Sequence, residues 1–297
     1  MKKGLKRPLE LAIEIASSKP YTISFSEGHE PRIVEAAVEA VNLGIAKIIL
    51  VGKVEKVKHQ LAKYPCSYPD RIKIHDPIRS SLIKEFSKSY YELRKHKGIT
   101  YEDAKKQATS NLVYAALLVK NGHAEGTLSG AVETTSNVVK TAIWVLGKAT
   151  QVKTVSSCFL IFPKSNEPMI YADCGLVIEP NDEELVDITI AASQSCKSLL
   201  NTDPRIALLS FSTKGSAKHR NTDKILSALK KLKSLEPELL VDGELQFDAA
   251  IDSAVGKIKA PESKVAGTAN VMIFPNLDAG NIAYKITQRL GNADAYG

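Results

Sequence analysis

A chain of 297 residues, 44% of them hydrophobic and 25% charged, has the composition of a globular protein, which excludes the disordered and fibrous classes. Its length allows about two domains with buried cores. The net charge of +7 favours a polyanionic partner, either nucleic acid or a phosphorylated small molecule. The sequence lacks arginine-rich tracts with interleaved aromatic residues, so we predict small-molecule substrates and no nucleic-acid partner.

Apolar runs and cysteine spacing indicate the compartment. No apolar run approaches the roughly 18 residues that cross a bilayer, and the segment MKKGLKRPLE lacks the apolar core of a signal peptide. The cysteines form no CxxC pair, so neither a zinc site nor a disulfide framework is indicated. We expect a cytoplasmic protein with no membrane partner and no metal. We expect its four cysteines to be reduced and mostly buried: Cys66, Cys158, Cys174 and Cys196.

The first half of the chain alternates between helical and strand patterns. Helical spacing of apolar residues predicts helices over 5–17, from Pro31 to Gly44, and over 53–63. Short apolar runs predict strands over 21–27, 46–52 and 71–77. Such alternation predicts an α/β domain with a mainly parallel sheet. Two long helices should follow, over 80–97 and 101–121, with Gly98 between them.

Two stretches of this half could bind an anion. The basic residues 94–97 end a predicted helix, where they could bind a phosphate or only complement the helix dipole, and the residues alone favour the dipole. Further on, a strand is predicted to end at Ser129–Gly130. The hydroxyl-rich turn of Thr134, Thr135 and Ser136 then leads into a helix. Ligands of α/β folds gather at the carboxyl ends of strands, so this corner suits an anion.

The second half begins where the apolar spacing is lost, near residues 147–153, and we predict domains over 1–148 and 149–297. A hairpin should open the second domain, with strands over 154–163 and 168–176. Asn181 is a predicted helix cap, with Glu184 completing a capping box.

The segment Pro204–Ala217 reads as a buried strand, a polar turn and a helix that Ser216 could open. Gly215 permits a tight bend, and the hydroxyls, Lys214 and the helix N-terminus suit an anion. An ordinary capped helix start explains the same residues, and for an isolated STKGS string that alternative is favoured.

Polar residues near the end of the chain also allow two interpretations. Asp242, Glu244 and Asp248 could bind a metal or act as a base, but we favour helix capping and contacts with basic residues. Asn281, Tyr284 and Lys285 share a helix face, with Arg289 one turn further. That face could project into a cleft or belong to a plain surface helix.

Several long strings resemble the phosphate acetyltransferase family, and the likeness is collinear from about Tyr21 to Gly297. The strings are LRKHKGIT, SGAVETTS, EPNDEELVDIT, ALLSFSTKGSA, VDGELQFDAAI and FPNLDAGNIAYKITQRLGNADAYG. The resemblance implies two α/β domains of the isocitrate and isopropylmalate dehydrogenase type, with mainly parallel sheets and a cleft between them. It also implies a homodimer that exchanges acetyl between coenzyme A and inorganic phosphate. Coenzyme A is then a substrate, and no cofactor or metal is needed.

The resemblance also assigns residues. In the family an aspartate deprotonates the thiol of coenzyme A, while a serine and arginines stabilise the developing oxyanion and the phosphate. By motif, Arg94 would bind the phosphoryl group or a phosphate of coenzyme A. The substrate loop would contain Ser129, Thr134, Thr135 and Ser136, and the motif beside the acyl phosphate would contain Asn281, Tyr284 and Lys285.

The chain departs from the family pattern in its substrate loop and at its end. The family usually has histidine where this chain has Glu133 and arginine where it has Lys140, and both changes should weaken anion binding. Members also continue past the AYG string with a segment that returns to the first domain and contains the catalytic serine, arginine and aspartate. The catalytic residues would then lie beyond Gly297, and we expect the 297-residue chain to be poorly active.

Two alternatives remain from the sequence. The chain could be a remnant that binds coenzyme A or an acyl phosphate without catalysis. It could also be a phosphate butyryltransferase, although the string STKGSA followed by DGELQ resembles the acetyl enzymes more closely.

Overall fold

The computed structural model describes residues 8–150, 152–164 and 167–297. The described chain divides into two units, one ending at Lys148 and one beginning at Ala149. Each unit has its own β-sheet with helices packed against it and its own buried clusters of apolar side chains. The α/β class predicted from the alternating patterns is confirmed.

The first unit contains a four-stranded parallel sheet in the order β3-β2-β1-β4. Its strands are β1 (Tyr21–Phe25), β2 (Ala46–Val51), β3 (Ile72–His75) and β4 (Gly126–Leu128). Its helices are α1 (Pro8–Ser18), α2 (Pro31–Asn42), α3 (Val54–Leu61), α4 (Ile83–Arg94), α5 (Tyr101–Ala108), α6 (Asn111–Lys120) and α7 (Thr135–Val145).

Helix α2 follows its sequence pattern closely. Pro31 occupies its first turn, where the missing amide hydrogen costs no hydrogen bond, and Gly44 leaves the helix with a positive φ of 74°. Its apolar stripe is buried against the sheet, as the spacing predicts: Ile33, Val34, Ala37, Val38 and Val41.

The predicted helix over 101–121 is wrong in one respect, because two helices occupy that range. Helix α5 ends at Ala108, and the amide of Ser110 donates to Gln107 O at 2.9 Å before α6 begins. Ser110 itself has an extended backbone. The break has a packing reason: α5 buries only Ala104 and Ala108, whereas α6 buries six consecutive residues, 113–118, and must run through the core.

The second unit contains a six-stranded mixed sheet in the order β10-β5-β6-β9-β7-β8. The strands are β5 (Phe159–Phe162), β6 (Met169–Ala172), β7 (Ile206–Leu209), β8 (Val241–Leu245), β9 (Val271–Ile273) and β10 (Asp294–Tyr296). The helices are α8 (Asp182–Leu200), α9 (Arg220–Leu235), α10 (Phe247–Ile251), α11 (Ser253–Lys259) and α12 (Leu277–Arg289). Strands β6, β9, β7 and β8 are parallel, and β5 and β6 form the predicted antiparallel hairpin.

Two helix starts in this unit test the capping predictions. Asn181 caps α8 by accepting from the amides of Glu183 and Glu184, and Glu184 completes the predicted capping box. The prediction that Ser216 opens a helix is wrong, because α9 begins at Arg220 with His219 as its cap. Ser216 instead closes a turn, since its Oγ accepts from the amide of Thr213 at 3.1 Å.

The four cysteines are unpaired, as expected. Cys174 and Cys196 are buried, and Cys66 and Cys158 are partly buried. Within the described residues, no helix is both long enough and apolar enough to cross a membrane.

The core of the second unit predicts a stability difference along α8. Ile188 is fully buried, whereas Leu199 on the same helix is 48% exposed. Replacing Ile188 with alanine leaves a cavity, so the free energy of unfolding should fall by about 2–5 kcal/mol. Leu199→Ala is the control and should cost about 1 kcal/mol or less. Urea unfolding followed by circular dichroism measures both, and equal losses would contradict the assigned packing.

Candidate functional site

The carboxyl edge of the first sheet brings two loops together. Strands β1 and β4 are parallel neighbours, so the segment after β1 and the segment after β4 leave the sheet side by side. We call residues 26–32, which include the first two residues of α2, the Glu27 loop. We call residues 129–136, which include the first two residues of α7, the hydroxyl loop. The hydroxyl loop contains four of the residues assigned by the family resemblance.

The main-chain amides of the hydroxyl loop already bind a carboxylate of this chain. Glu27 is 4% exposed, and its Oε2 accepts from the amides of Gly130 at 3.1 Å and Ala131 at 2.9 Å. Its Oε1 accepts from the amides of Val132 at 2.8 Å and Glu133 at 2.7 Å. The anion predicted for this corner is therefore present as a side chain.

Protonation of Glu27 would weaken its hydrogen bonds with the amides of residues 130–133. Burial alone would raise the pKa of its carboxyl, but the hydrogen bonds from the amides of residues 130–133 outweigh burial, and the pKa lies below its ordinary value. The carboxylate is thus the form that the loop stabilises. Nothing in the local pattern SFSEGHE indicates this role, because the partner amides lie 103 to 106 residues further along the chain.

The four hydroxyls of the loop divide into two kinds. Ser129 Oγ accepts from Ser26 Oγ at 2.8 Å, and Thr134 caps α7 by accepting from the amide of Asn137 at 3.3 Å. Thr135 and Ser136 are exposed in the first turn of α7, and neither hydroxyl has a hydrogen-bond partner among the described residues. Thr135 and Ser136 are therefore available to a ligand.

One face of α7 continues from the hydroxyl loop and brings Lys140, Trp144 and the stacked Arg94 into line with it. Ser136, Lys140 and Trp144 follow one another at four-residue spacing, so they lie on the same side of the helix. The Arg94 guanidinium stacks over the Trp144 ring, with its Cζ 4.4 Å from the ring centroid. Helical rise places Ser136 and Trp144 about 12 Å apart along the axis. The face therefore presents a hydroxyl and two cations in a row.

Trp144 was missed as a functional candidate by sequence reasoning. It is the single tryptophan of the chain, and 41% of it is exposed. Its spacing of four from Lys140 was the available signal. The stacking fixes Arg94, the last residue of α4, without using up its hydrogen-bond donors.

In the second unit, the assigned residues of α12 contact one another. Lys285 Nζ donates to Asn281 Oδ1 at 2.7 Å and lies 5.4 Å from the centroid of the Tyr284 ring. Tyr284 stacks on Phe159, with ring centroids 4.1 Å apart and an interplanar angle of 17°. Asn281 Nδ2 donates to Cys174 O at 3.1 Å. The three residues thus form one polar group beside the loop that follows β6.

A second buried carboxylate shapes that loop. The Asp173 carboxylate accepts hydrogen bonds from the amides of residues 175–177. It also accepts from the amide of Ser157 at 3.1 Å and from Ser157 Oγ at 2.6 Å. The predicted strand over 154–163 is consequently shorter, since β5 begins only at Phe159. Gly280 of α12 packs against this turn, and a Cβ there would lie 2.3 Å from Asp173 O, so only glycine fits.

A third buried carboxylate occupies the corner at 204–217. Glu244 Oε1 accepts from the amide of Gly215 at 2.8 Å and from Ser212 Oγ at 2.9 Å. Lys214 Nζ donates to Asp242 Oδ1 at 2.5 Å. The donors predicted to bind an anion at this corner are therefore occupied by the chain itself.

Two members of the acidic group of the second unit show the contacts with basic residues that we favoured. The helix capping that we also favoured is wrong, because α10 has Gln246 as its N-cap, without a side-chain hydrogen bond. Asp242 pairs with Lys214, and Asp248 pairs with Lys259 at 2.8 Å. The described residues contain no cluster of histidine, cysteine and carboxylate side chains that could hold a metal ion.

Comparison with known proteins decides the family. The sequence profile described as phosphate acetyl/butaryl transferase matches residues 9–297. The chain belongs to this family. A member from Acetivibrio thermocellus, a phosphate acetyltransferase, is 42% identical over 294 residues, which cover 97% of this chain and 88% of that protein. The resemblance inferred from the sequence motifs is confirmed, and with it the acyltransferase class.

Solved structures of phosphate acetyl/butaryl transferase relatives have the same fold. A phosphotransacetylase from Streptococcus pyogenes matches with a TM-score of 0.91 at 37% identity, covering 98% of this chain and 88% of that one. The EutD phosphotransacetylase from Staphylococcus aureus matches with a TM-score of 0.85 at 34% identity, covering 99% of this chain and 90% of that one. Both likenesses confirm the predicted α/β fold with mainly parallel strands.

Asp242 predicts a pH-dependent contribution to stability. Burial would raise the pKa of its carboxyl, but hydrogen bonds from Lys214, Ser263 and the Gly243 amide lower it below 3.8. Its contribution is therefore complete above about pH 4 and is lost as the pH falls through the lower folded-state value. Asp242→Asn should lower the free energy of unfolding by about 1–3 kcal/mol at neutral pH.

The difference in the free energy of unfolding between wild type and Asp242→Asn should become smaller below about pH 4, because the wild-type carboxylate is then protonated. Urea unfolding at a series of pH values measures it. Glu238→Gln, at an exposed side chain, controls for the change in net charge. A difference that stays constant down to about pH 2 would contradict the lowered pKa.

Proposed function

We propose that this protein catalyses the reversible transfer of acetyl between coenzyme A and inorganic phosphate. The observation that carries the proposal is the face of α7, where Ser136, Lys140 and the stacked Arg94 lie in a row. Two cations and a free hydroxyl suit phosphate oxygens. This face belongs to a chain that is 42% identical to a phosphate acetyltransferase.

The reaction requires no covalent enzyme intermediate. The thiol of coenzyme A loses its proton, and the thiolate attacks the carbonyl carbon of acetyl phosphate. A carbon–sulfur bond forms, the carbon–oxygen bond to phosphate breaks, and phosphate leaves with the electron pair. The leaving phosphate takes up one proton, which balances the proton lost by the thiol, so the products are acetyl-CoA and hydrogen phosphate. Coenzyme A is a substrate in this scheme, and neither a cofactor nor a metal has a step. The protein contributes position and fixed positive charge.

The residues of the first unit would bind the anionic groups. Arg94 offers a planar donor set to a phosphate, either the phosphoryl group of acetyl phosphate or a phosphate of coenzyme A. Lys140 adds a second cation, and Ser129, Thr135 and Ser136 add hydroxyls. The net charge of +7 favours the approach of both anionic substrates.

In the second unit, the residues assigned by the family motif form the polar group on α12. Asn281 and Lys285 are joined by a hydrogen bond, and Tyr284 is stacked on Phe159, so the three side chains are already ordered. Ordered donors lose little entropy when an acyl phosphate binds.

Glu133 modifies the proposed site. Its Oε2 accepts from Asn137 Nδ2 at 3.1 Å, at the start of α7. This contact directs the carboxylate toward the helix N-terminus, where the dipole stabilises negative charge. An anionic substrate would still meet a like charge there, which supports the expected weakening of its binding.

We also propose a cytoplasmic location and a homodimer. Four unpaired cysteines are typical of a reducing compartment. Three exposed apolar residues follow one another at four-residue spacing, two on α12 and one at its C-cap, and would be covered by a second copy of the chain. They are Ile282, Ile286 and Leu290, with exposed fractions of 56%, 52% and 83%.

Arg94 provides the direct test of the activity. Arg94→Met should lower kcat/KM for acetyl phosphate by about tenfold to a hundredfold, because one charge-assisted contact with phosphate is lost. Arg94→Lys should have a kcat/KM between those of wild type and Arg94→Met, since lysine keeps the charge but loses the planar donor set. Lys97→Met, at an exposed neighbouring cation, is the matched control. Loss of the free thiol of coenzyme A in the presence of acetyl phosphate measures this direction, and thiol release from acetyl-CoA with phosphate measures the reverse.

Calorimetric titration of coenzyme A accompanies the assay, so that slow turnover and absent binding are distinguished. The expectation that the 297-residue chain turns over slowly stays a prediction that this pair of measurements decides. Butyryl-CoA in place of acetyl-CoA tests the acyl group, and acetyl-CoA should react faster. If the protein does not bind coenzyme A and turns over neither thioester, the proposed function is wrong.

The homodimer is tested at the middle of the apolar stripe. Ile286→Glu should convert a dimer to a monomer in sedimentation velocity, because it buries a charge in the contact. Leu235→Glu, at an apolar residue that is 64% exposed on α9, should leave the dimer intact. A wild-type monomer at micromolar concentration would contradict the proposal.

A further inference from the structure

The Glu27 loop binds the hydroxyl loop at three positions. Ser26 Oγ donates to Ser129 Oγ at 2.8 Å, the Glu27 carboxylate accepts from four amides, and Arg32 Nη2 donates to Ala131 O at 2.9 Å. We propose that Glu27 is a positioning residue, which sets the place of the Thr135 and Ser136 hydroxyls that receive the substrate phosphate. This inference rests on the proposed function.

The geometry gives Glu27 most of the control over this loop. Each carboxylate oxygen accepts two amide bonds, and the four donors are consecutive residues, 130–133. Gly130 has a φ of 111°, a conformation that favours glycine and that turns the following amides toward one point. Without the carboxylate, four adjacent amides would lack their acceptor, and this stretch has no other regular structure.

The bound stretch leads directly into the ligand-facing residues. Glu133 is the last residue bonded to Glu27, Thr134 is the cap of α7, and Thr135 and Ser136 form its first turn. A shift of the loop would therefore move the cap and both free hydroxyls together. Misplacing binding groups by about 1 Å is enough to cost a large factor in rate.

A role of Glu27 through its charge and a role through positioning predict opposite effects of Glu27→Gln on substrate binding, so the inference can be tested. If Glu27 acted only through its charge, Glu27→Gln would remove a negative charge near an anionic substrate and tighten its binding. If Glu27 positions the loop, the same change weakens binding, because a glutamine amide has one acceptor oxygen and turns its own N–H groups toward the loop amides.

The first measurement needs no ligand and no activity. Hydrogen exchange of the full chain should show amides in residues 129–137 exchanging at least tenfold faster in Glu27→Gln than in wild type. Amides of β2, residues 46–51, should be unchanged and report that the fold is intact. Glu27→Asp keeps a carboxylate and should give an intermediate rate. Unchanged exchange over 129–137 in both variants would overturn the inference.

The second measurement links position to binding. Glu27→Gln should raise KM for acetyl phosphate about tenfold, with a smaller effect on kcat. Val34→Ala, on the buried face of α2, serves as a control for general destabilisation and should leave KM unchanged. In a Ser136→Ala background, the effect of Glu27→Gln on KM should shrink, because Glu27 acts through that hydroxyl.

Two results would overturn the inference here: a lower KM in Glu27→Gln, or fully additive effects with Ser136→Ala. Failure of the proposed function gives a different pattern. In that case wild type neither binds nor turns over the substrates, while the exchange experiment still reports whether Glu27 fixes the loop.

Discussion

Three buried carboxylates accept hydrogen bonds from loop amides at the carboxyl ends of strands, and the loops of both units depend on these bonds. Glu27 binds four amides of the hydroxyl loop, Asp173 binds three amides after β6, and Glu244 binds the amide of Gly215. Converging amides at such an edge usually form an anion site. Here the chain supplies the anion, so each loop has a defined conformation before any substrate arrives.

This constraint determines which groups can meet the substrates. Amides that already bind a carboxylate cannot also bind phosphate, so anion recognition passes to side chains. In the first unit these are Ser136 and Lys140 on one face of α7 and Arg94 at the end of α4, whose guanidinium stacks over Trp144 of that face. In the second unit, Asn281 is directed by its bond to the loop that Asp173 closes. The proposed acetyl transfer therefore relies on side chains that buried carboxylates place indirectly.

Local patterns predicted the elements well, and long-range contacts explain what they missed. The stripe of α2, the Asn181 capping box and the shared face of α12 each depend on spacing within one helix. The bond from Glu27 to residues 130–133 joins segments over 100 residues apart, and no periodicity encodes it. The break between α5 and α6 and the occupied corner at Glu244 likewise arise from tertiary packing.

The most direct test is a crystal structure of the protein soaked with acetyl phosphate or with coenzyme A and phosphate. The account predicts that the four amides of residues 130–133 stay bonded to Glu27 and that phosphate oxygens contact Ser136, Lys140 or Arg94. A phosphate bound to those amides, with the Glu27 side chain displaced, would contradict it.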